Sequence, residues 1–148
     1  RALGNRSILA DPRNAKMKYI LNEKIKHRES FRPFAPCILE EYAFEYFDID
    51  VPSPYMLLVV PVKKPEKIPA VTHVDGTGRL QTISKDTNPL FYDLINEFYK
   101  ITSVPVLVNT SMNVRGEPIV NTPKQAYNMI IKTDMDYIVL GNYIVKKQ

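Results

Sequence analysis

The sequence predicts an α/β domain with an open mixed sheet and flanking helices, and three observations carry that prediction. Short apolar runs of strand length recur at 34–39, 55–60 and 104–108, bounded by proline and polar residues. Two stretches of helical periodicity are opened by Asn88-Pro89 and Thr122-Pro123, with proline in the tolerated first turn. Helices and strands alternate along the chain, which leads to a twisted sheet of about five to seven strands. With 148 residues and 45% hydrophobic content the chain buries one respectable core, so a single domain is expected.

Taken in order, Asp11-Pro12 precedes a helix over 14–24, where Met17, Ile20, Leu21 and Lys24 recur at helical spacing. A basic segment passes into the strand at 34–39. A short helix over 40–47 carries an aromatic face from Tyr42, Phe44, Tyr46 and Phe47. The continuous apolar run at 55–60, bracketed by Pro52, Pro54 and Pro61, reads as a buried strand. After a lysine-rich loop at 63–67, residues 70–79 resemble a strand entering an Asp75-Gly76 turn, and 80–84 leave it in alternating order as a hairpin. The helix from Pro89 is amphipathic, with Leu90, Phe91, Leu94, Ile95, Phe98 and Ile101 on its inner face. A third buried strand at 104–108, a helix over 124–132 capped by Thr122, and two short strands around Gly141-Asn142 complete the chain.

Composition removes several functions. Twenty basic residues are interspersed with sixteen acidic ones for a net charge of +4, so no general nucleic-acid coat is implied. No apolar run is long enough to cross a bilayer, and there is no initiator Met or charged leader with an apolar core. The expectation is a soluble, cytoplasmic piece of something larger. Cys37 is the only cysteine, which excludes an internal disulfide and most thiolate metal sites; its apolar neighbours mark a buried, inert thiol.

Three clusters carry candidate chemistry. Lys26, Arg28 and Arg32 stand at even spacings, so in an extended segment they share one face and suit a multi-anionic ligand. A solvated basic edge strand is the alternative. His27 alternates with these cations and faces the other way. Asn109, Thr110, Ser111 and Asn113 follow a strand directly, where ligands of open α/β sheets gather, and offer donors to a ribose or phosphate; ordinary turn chemistry explains them equally. Thr72, His73, Asp75 and Arg79 flank a glycine-rich turn. His73 reads as a general base, a phosphate donor or a structural residue, and Arg79 as a further guanidinium for the same anion or a surface residue.

Four blocks together resemble a family: Arg1-Ala-Leu-Gly-Asn-Arg-Ser-Ile-Leu-Ala-Asp-Pro-Arg13, the basic block from Asn22 to Pro36, Pro69-Ala-Val-Thr-His-Val-Asp-Gly-Thr-Gly-Arg79, and Asn109-Thr-Ser-Met-Asn-Val-Arg-Gly-Glu-Pro118. In this order they are similar to the C-terminal domain of O-carbamoyltransferases of the nodulation and antibiotic-tailoring type. The resemblance implies residues 1–13 as the remnant of an inter-domain connection and 14–148 as a YrdC-like domain with a basic cavity. There carbamoyl phosphate and ATP, with Mg2+ as part of the substrate complex, yield carbamoyladenylate. An N-terminal Kae1-like domain of the same polypeptide, which holds a metal, passes the carbamoyl group to a hydroxyl. No protein-bound metal, membrane or nucleic acid is expected in this domain.

Carried over, Lys26, Arg32 and Arg79 become the catalytic cations. Arg28, Thr72, His73, Asn109, Thr110, Ser111 and Asn113 join them in binding substrate and nucleotide. Met112 departs from the family pattern, where many relatives carry Phe; this alters packing more than chemistry. Fixed cations and a divalent ion stabilise charge growing on phosphoryl oxygens without a side-chain nucleophile. Two rival readings are an RNA-binding YrdC-like module and a structural half, inert until docked through exposed apolar residues near 1–8.

Overall fold

The computed structural model describes residues 2–147. Its centre is an open five-stranded sheet in the order β1-β5-β2-β4-β3, formed by β1 (Ser7–Ala10), β2 (Ala35–Leu39), β3 (Leu58–Pro61), β4 (Thr77–Ile83) and β5 (Val106–Ser111). Only β2 and β4 run parallel; β1 with β5, β2 with β5 and β3 with β4 are antiparallel. A separate hairpin joins β6 (Tyr137–Leu140) to β7 (Tyr143–Lys146) around Gly141-Asn142, as expected. The mixed α/β class with an open sheet is the one the sequence predicts.

The sheet is central because β2 is apolar on both faces. All five of its residues are buried, as befits a strand covered on two sides. On one face Ile38, Leu80, Val106 and Val108 pack beneath Leu21, Ile25 and Met129. On the other Cys37, Leu39, Ile83 and Leu107 pack beneath Phe91 and Ile95. This period-two division is what a strand's alternating side chains require. Each branched side chain so enclosed contributes about 1.5–3 kcal/mol.

Helices α1 (Met17–Ile20), α2 (Ala43–Tyr46), α3 (Pro89–Thr102) and α4 (Pro123–Lys132) cover the faces. The Thr122 cap forms as expected: its hydroxyl accepts from the Gln125 N–H, and the Gln125 side chain answers with the Thr122 N–H at 3.1 Å. Cys37 is fully buried, its thiol donating to the Leu107 carbonyl, and burial raises its pKa. No helix among the described residues is long and apolar enough to cross a membrane.

Four expectations are corrected. Lys26, Arg28 and Arg32 do not lie on one face of an extended segment. Leu21–Lys26 continues α1 as a π-helix, and His27 ends it in the left-handed region at φ 52°. The run at 55–60 is not a buried strand: β3 is an edge strand in which Leu58 and Val59 are exposed, because no layer among the described residues covers its outer face. Residues 70–79 do not form the first arm of a hairpin. Pro69–Val71 is a 3-10 turn leading into a tight turn at 73–76, and β4 pairs with β2 and β3. The inner face of α3 is narrower than its sequence, with Phe91 and Ile95 buried while Leu90 and Ile101 are 84% exposed.

Residues 7–10, read only as a connection, form the edge strand β1. Arg1 lies outside the described residues. Ala2 and Ile8 are buried, Ile8 in the main core, and Leu3 is half-buried, so none of these apolar residues near the start of the chain is fully exposed.

Candidate functional site

The π-helix governs the candidate site. A single register shift to wider hydrogen bonding turns Asn22 and Lys26 inward together with Leu21 and Ile25. The helix ends with the His27 N–H donating to the Asn22 carbonyl. From this point the chain must turn through 28–32 to reach β2.

Asn22, fully buried, organises that turn. Its side-chain amide donates to the carbonyls of Ser30 (3.1 Å) and Arg32 (2.9 Å), and its Oδ1 accepts from Arg28 Nε at 2.7 Å. Arg28 lies over the Phe34 ring at 4.9 Å, so both ring face and amide fix its guanidinium. Sequence reasoning passed over Asn22. An amide at an apolar position of a helical pattern was the available signal.

Lys26 does the same for the other wall. Only 3% exposed, its Nζ donates to the Ser111 carbonyl, the Asn113 carbonyl (2.9 Å) and Asn113 Oδ1 (2.9 Å). Ser111 Oγ donates to Asn113 Oδ1 at 2.6 Å, and Asn113 Nδ2 donates to the Glu117 carbonyl. The three ammonium protons are thus met by protein oxygens, and Lys26 contributes its charge and the shape of the 111–113 loop. Burial first, and the Arg28 charge second, push its pKa down to about 7. The oxygens around Nζ oppose that push by favouring the charged form.

Between the two walls stands a residue the sequence did not single out. Arg115, whose N–H donates to the Lys26 carbonyl, pairs with Glu29 at 3.0 Å, while Glu29 also pairs with Arg32 at 2.9 Å. Arg32 and Arg115 therefore share one carboxylate, whose charge Arg28 also senses, while the Lys26 ammonium beside Arg28 is bound to the 111–113 loop. Burial and the Arg32 charge both lower the Arg28 pKa. Like charges crowded in this way favour binding of a further anion.

The remaining predicted residues lie at the same end of the sheet, where β5 finishes and β2 and β4 begin. His73 shares a cavity of about 350 Å3 with Lys18, Phe31 and Pro33, the last two from the basic turn. Burial chiefly lowers its pKa, against the opposing pull of Asp75. Thr72 Oγ1 donates to the Ile68 carbonyl and closes the 3-10 turn. Arg79 is exposed on β4 and makes no ion pair among the described residues. Thr110 is half-buried opposite Ile8.

Asn109 is sealed, 1% exposed. Its Nδ2 donates to Gln81 Oε1 at 2.7 Å, and Gln81 Nε2 donates to the Leu3 carbonyl at 3.3 Å. Gly4 makes this approach possible. Its φ is +100°, and a Cβ there would stand 2.5 Å from the Phe91 ring. Among the described residues no group of three or more His, Cys, Asp or Glu is placed to hold a metal ion.

Fold and site together define a small α/β domain with a cation-rich rim. The chain belongs to the carbamoyltransferase C-terminus family, whose model matches residues 1–147. It is 50% identical over 153 residues to nodulation protein NolO of Bradyrhizobium diazoefficiens, covering 100% of this chain and 28% of that protein. It is 48% identical over 169 residues to an uncharacterized protein of Synechocystis, covering 99% of this chain and 28% of the relative. With nodulation protein U of Sinorhizobium fredii it shares 48% identity over 118 residues, 78% of this chain and 21% of that protein. The chain spans little more than a quarter of the length of the first two relatives and less of the third.

Proposed function

We propose that the cation-rich rim binds ATP, with its Mg2+, and carbamoyl phosphate, and forms carbamoyladenylate. Membership of the carbamoyltransferase family supports the reaction class. The observation that carries the site is the bridging of Arg32 and Arg115 by the single carboxylate of Glu29, with Arg28 and Lys26 adding their charges beside them.

In the proposed reaction carbamoyl phosphate loses its phosphate to water and leaves carbamate. A carbamate oxygen then attacks the α-phosphorus of ATP; the new P–O bond forms as the bond to the β-phosphate breaks, and pyrophosphate leaves with that electron pair. Negative charge grows on oxygens that Arg28, Arg32 and Arg115 can reach, while Lys26 adds its field from beneath the 111–113 loop. No side chain forms a covalent bond. Magnesium arrives with the nucleotide and shields its phosphates. His73 and Arg79, across the basic turn, flank the ligand on its second side. A Kae1-like domain elsewhere in the polypeptide passes the carbamoyl group to a hydroxyl acceptor, in the cytoplasm where ATP is supplied.

Pyrophosphate release from ATP and Mg2+ by the purified protein, with and without carbamoyl phosphate, tests this reading. Release that needs carbamoyl phosphate and disappears in Arg28→Gln and Arg32→Gln is expected. A folded protein whose release is indifferent to both substitutions contradicts it.

A further inference from the structure

We propose that Glu29 is a built-in counter-anion, occupying the place of a ligand's phosphate or carboxylate oxygens between Arg32 and Arg115, and that Arg115 is a further anion-binding residue of the site. The inference rests on the anion-binding reading above and specifies which contacts the ligand exchanges.

The geometry carries it in three steps. Glu29 uses its two oxygens separately, Oε2 with Arg32 Nε at 2.9 Å and Oε1 with Arg115 Nη1 at 3.0 Å. A carboxylate bridging two guanidiniums through different oxygens reproduces what a phosphate would do there. Next, the two guanidiniums are open to solvent, with the Arg32 and Arg115 side chains 47% and 60% exposed, while Glu29 Oε2 is buried and has no aligned hydrogen bond. Such pairs contribute little and are readily exchanged.

Finally, the backbones of the two arginines are placed without the Glu29 carboxylate. The Arg32 N–H donates to the Glu29 carbonyl and its own carbonyl is held by the buried Asn22 amide, while the Arg115 N–H donates to the Lys26 carbonyl. When the carboxylate swings out, two guanidiniums stay side by side with Arg28 and Lys26 behind them. The terminal nitrogens of Arg28 have no acceptor among the described residues, since its one side-chain hydrogen bond uses Nε. A multi-anionic ligand therefore gains three forks for the displacement of one half-buried carboxylate.

Calorimetric titration with ATP–Mg2+ and, separately, inorganic pyrophosphate distinguishes the possibilities. Glu29→Gln removes the competitor and is expected to tighten binding about two- to fivefold, with its melting temperature unchanged. Arg115→Gln is expected to weaken binding about tenfold, and Arg115→Lys to restore part of it. If Glu29→Gln weakens binding, or Arg115→Gln binds as the wild type does, the inference is overturned while the anion site stands. If the folded wild type binds neither probe nor carbamoyl phosphate, the anion-binding reading fails, and the inference with it.

Discussion

Where β5 ends, Arg32 and Arg115 share the Glu29 carboxylate with Arg28 and Lys26 close by, whereas beyond the carboxyl ends of the parallel pair β2 and β4 the signs reverse. There a cavity of about 430 Å3 is walled by Glu40, Glu41, Asp50 and Asp86, with Lys85 the one cation in its lining. Tyr92 donates its hydroxyl to Glu41, whose acceptor oxygen holds the phenol up to about 12. The rule that ligands gather beyond strand ends points to both places. Charge distinguishes them, since the first rim would attract a polyanion such as the proposed nucleotide and the second would repel it. The fold thus supplies strand ends at both places, and the π-helix with its two loops makes one of them cation-rich.

The largest effect is expected at Lys26, which serves the basic rim twice. Lys26→Met removes the charge and leaves the Ser111 and Asn113 carbonyls without their donor, costing about 2–4 kcal/mol of stability in denaturant titration. Pyrophosphate release is lost with it. Lys26→Arg does not restore either, because a planar fork does not fit a nest shaped for a compact ammonium. Wild-type stability in Lys26→Met would show that the buried contacts are dispensable.

Asn22→Ala comes next. Freeing the 28–32 turn costs about 1–3 kcal/mol, and ATP affinity falls because Arg28 and Arg32 lose their common anchor. Unchanged affinity alongside lost stability would separate the fold of the turn from its function.

The third effect is a pH dependence of the basic rim. The folded protein holds Lys26 at about 7 against its ordinary 10.5. Between these values the unfolded chain binds more protons than the folded one, so this group makes stability rise with pH across that window and contributes no slope below it. An anion bound beside Lys26 recovers the proton. ATP binding at about pH 8 is therefore expected to take up protons, read as a dependence of the binding heat on the buffer's ionisation heat. A binding heat independent of buffer would mean that the ligand does not sense the Lys26 charge.

What the sequence disclosed, and what it hid, follows the same division. The central strand β2, the helix from Pro89 and the Thr122 cap were legible because each is set by local pattern: an apolar run, a 3.6-residue period, a capping pair. The edge position of β3 was not, since an apolar run looks the same whether or not another layer covers it. At the site, the basic residues were visible and their arrangement was not. Even spacing suggested a strand, while a one-residue register shift in a π-helix and a left-handed His27 made a helix end. Arg115 and Glu29 are far apart in sequence and meet only through the Lys26 carbonyl that seats Arg115. Asn22 and Asn109 show the limit of reading amides from spacing, as one organises the basic turn and the other is sealed against Gln81.

The comparison between the two ends is tested most directly by titrating ATP–Mg2+ into three proteins: wild type, Arg28→Gln with Arg32→Gln, and Lys85→Gln. The basic-rim double variant is predicted to lose at least about tenfold in affinity, with Lys85→Gln within about twofold of wild type. Equal affinity in all three, or a loss confined to Lys85→Gln, would contradict the assignment of the anion site to the rim built by Lys26, Arg28, Arg32 and Arg115.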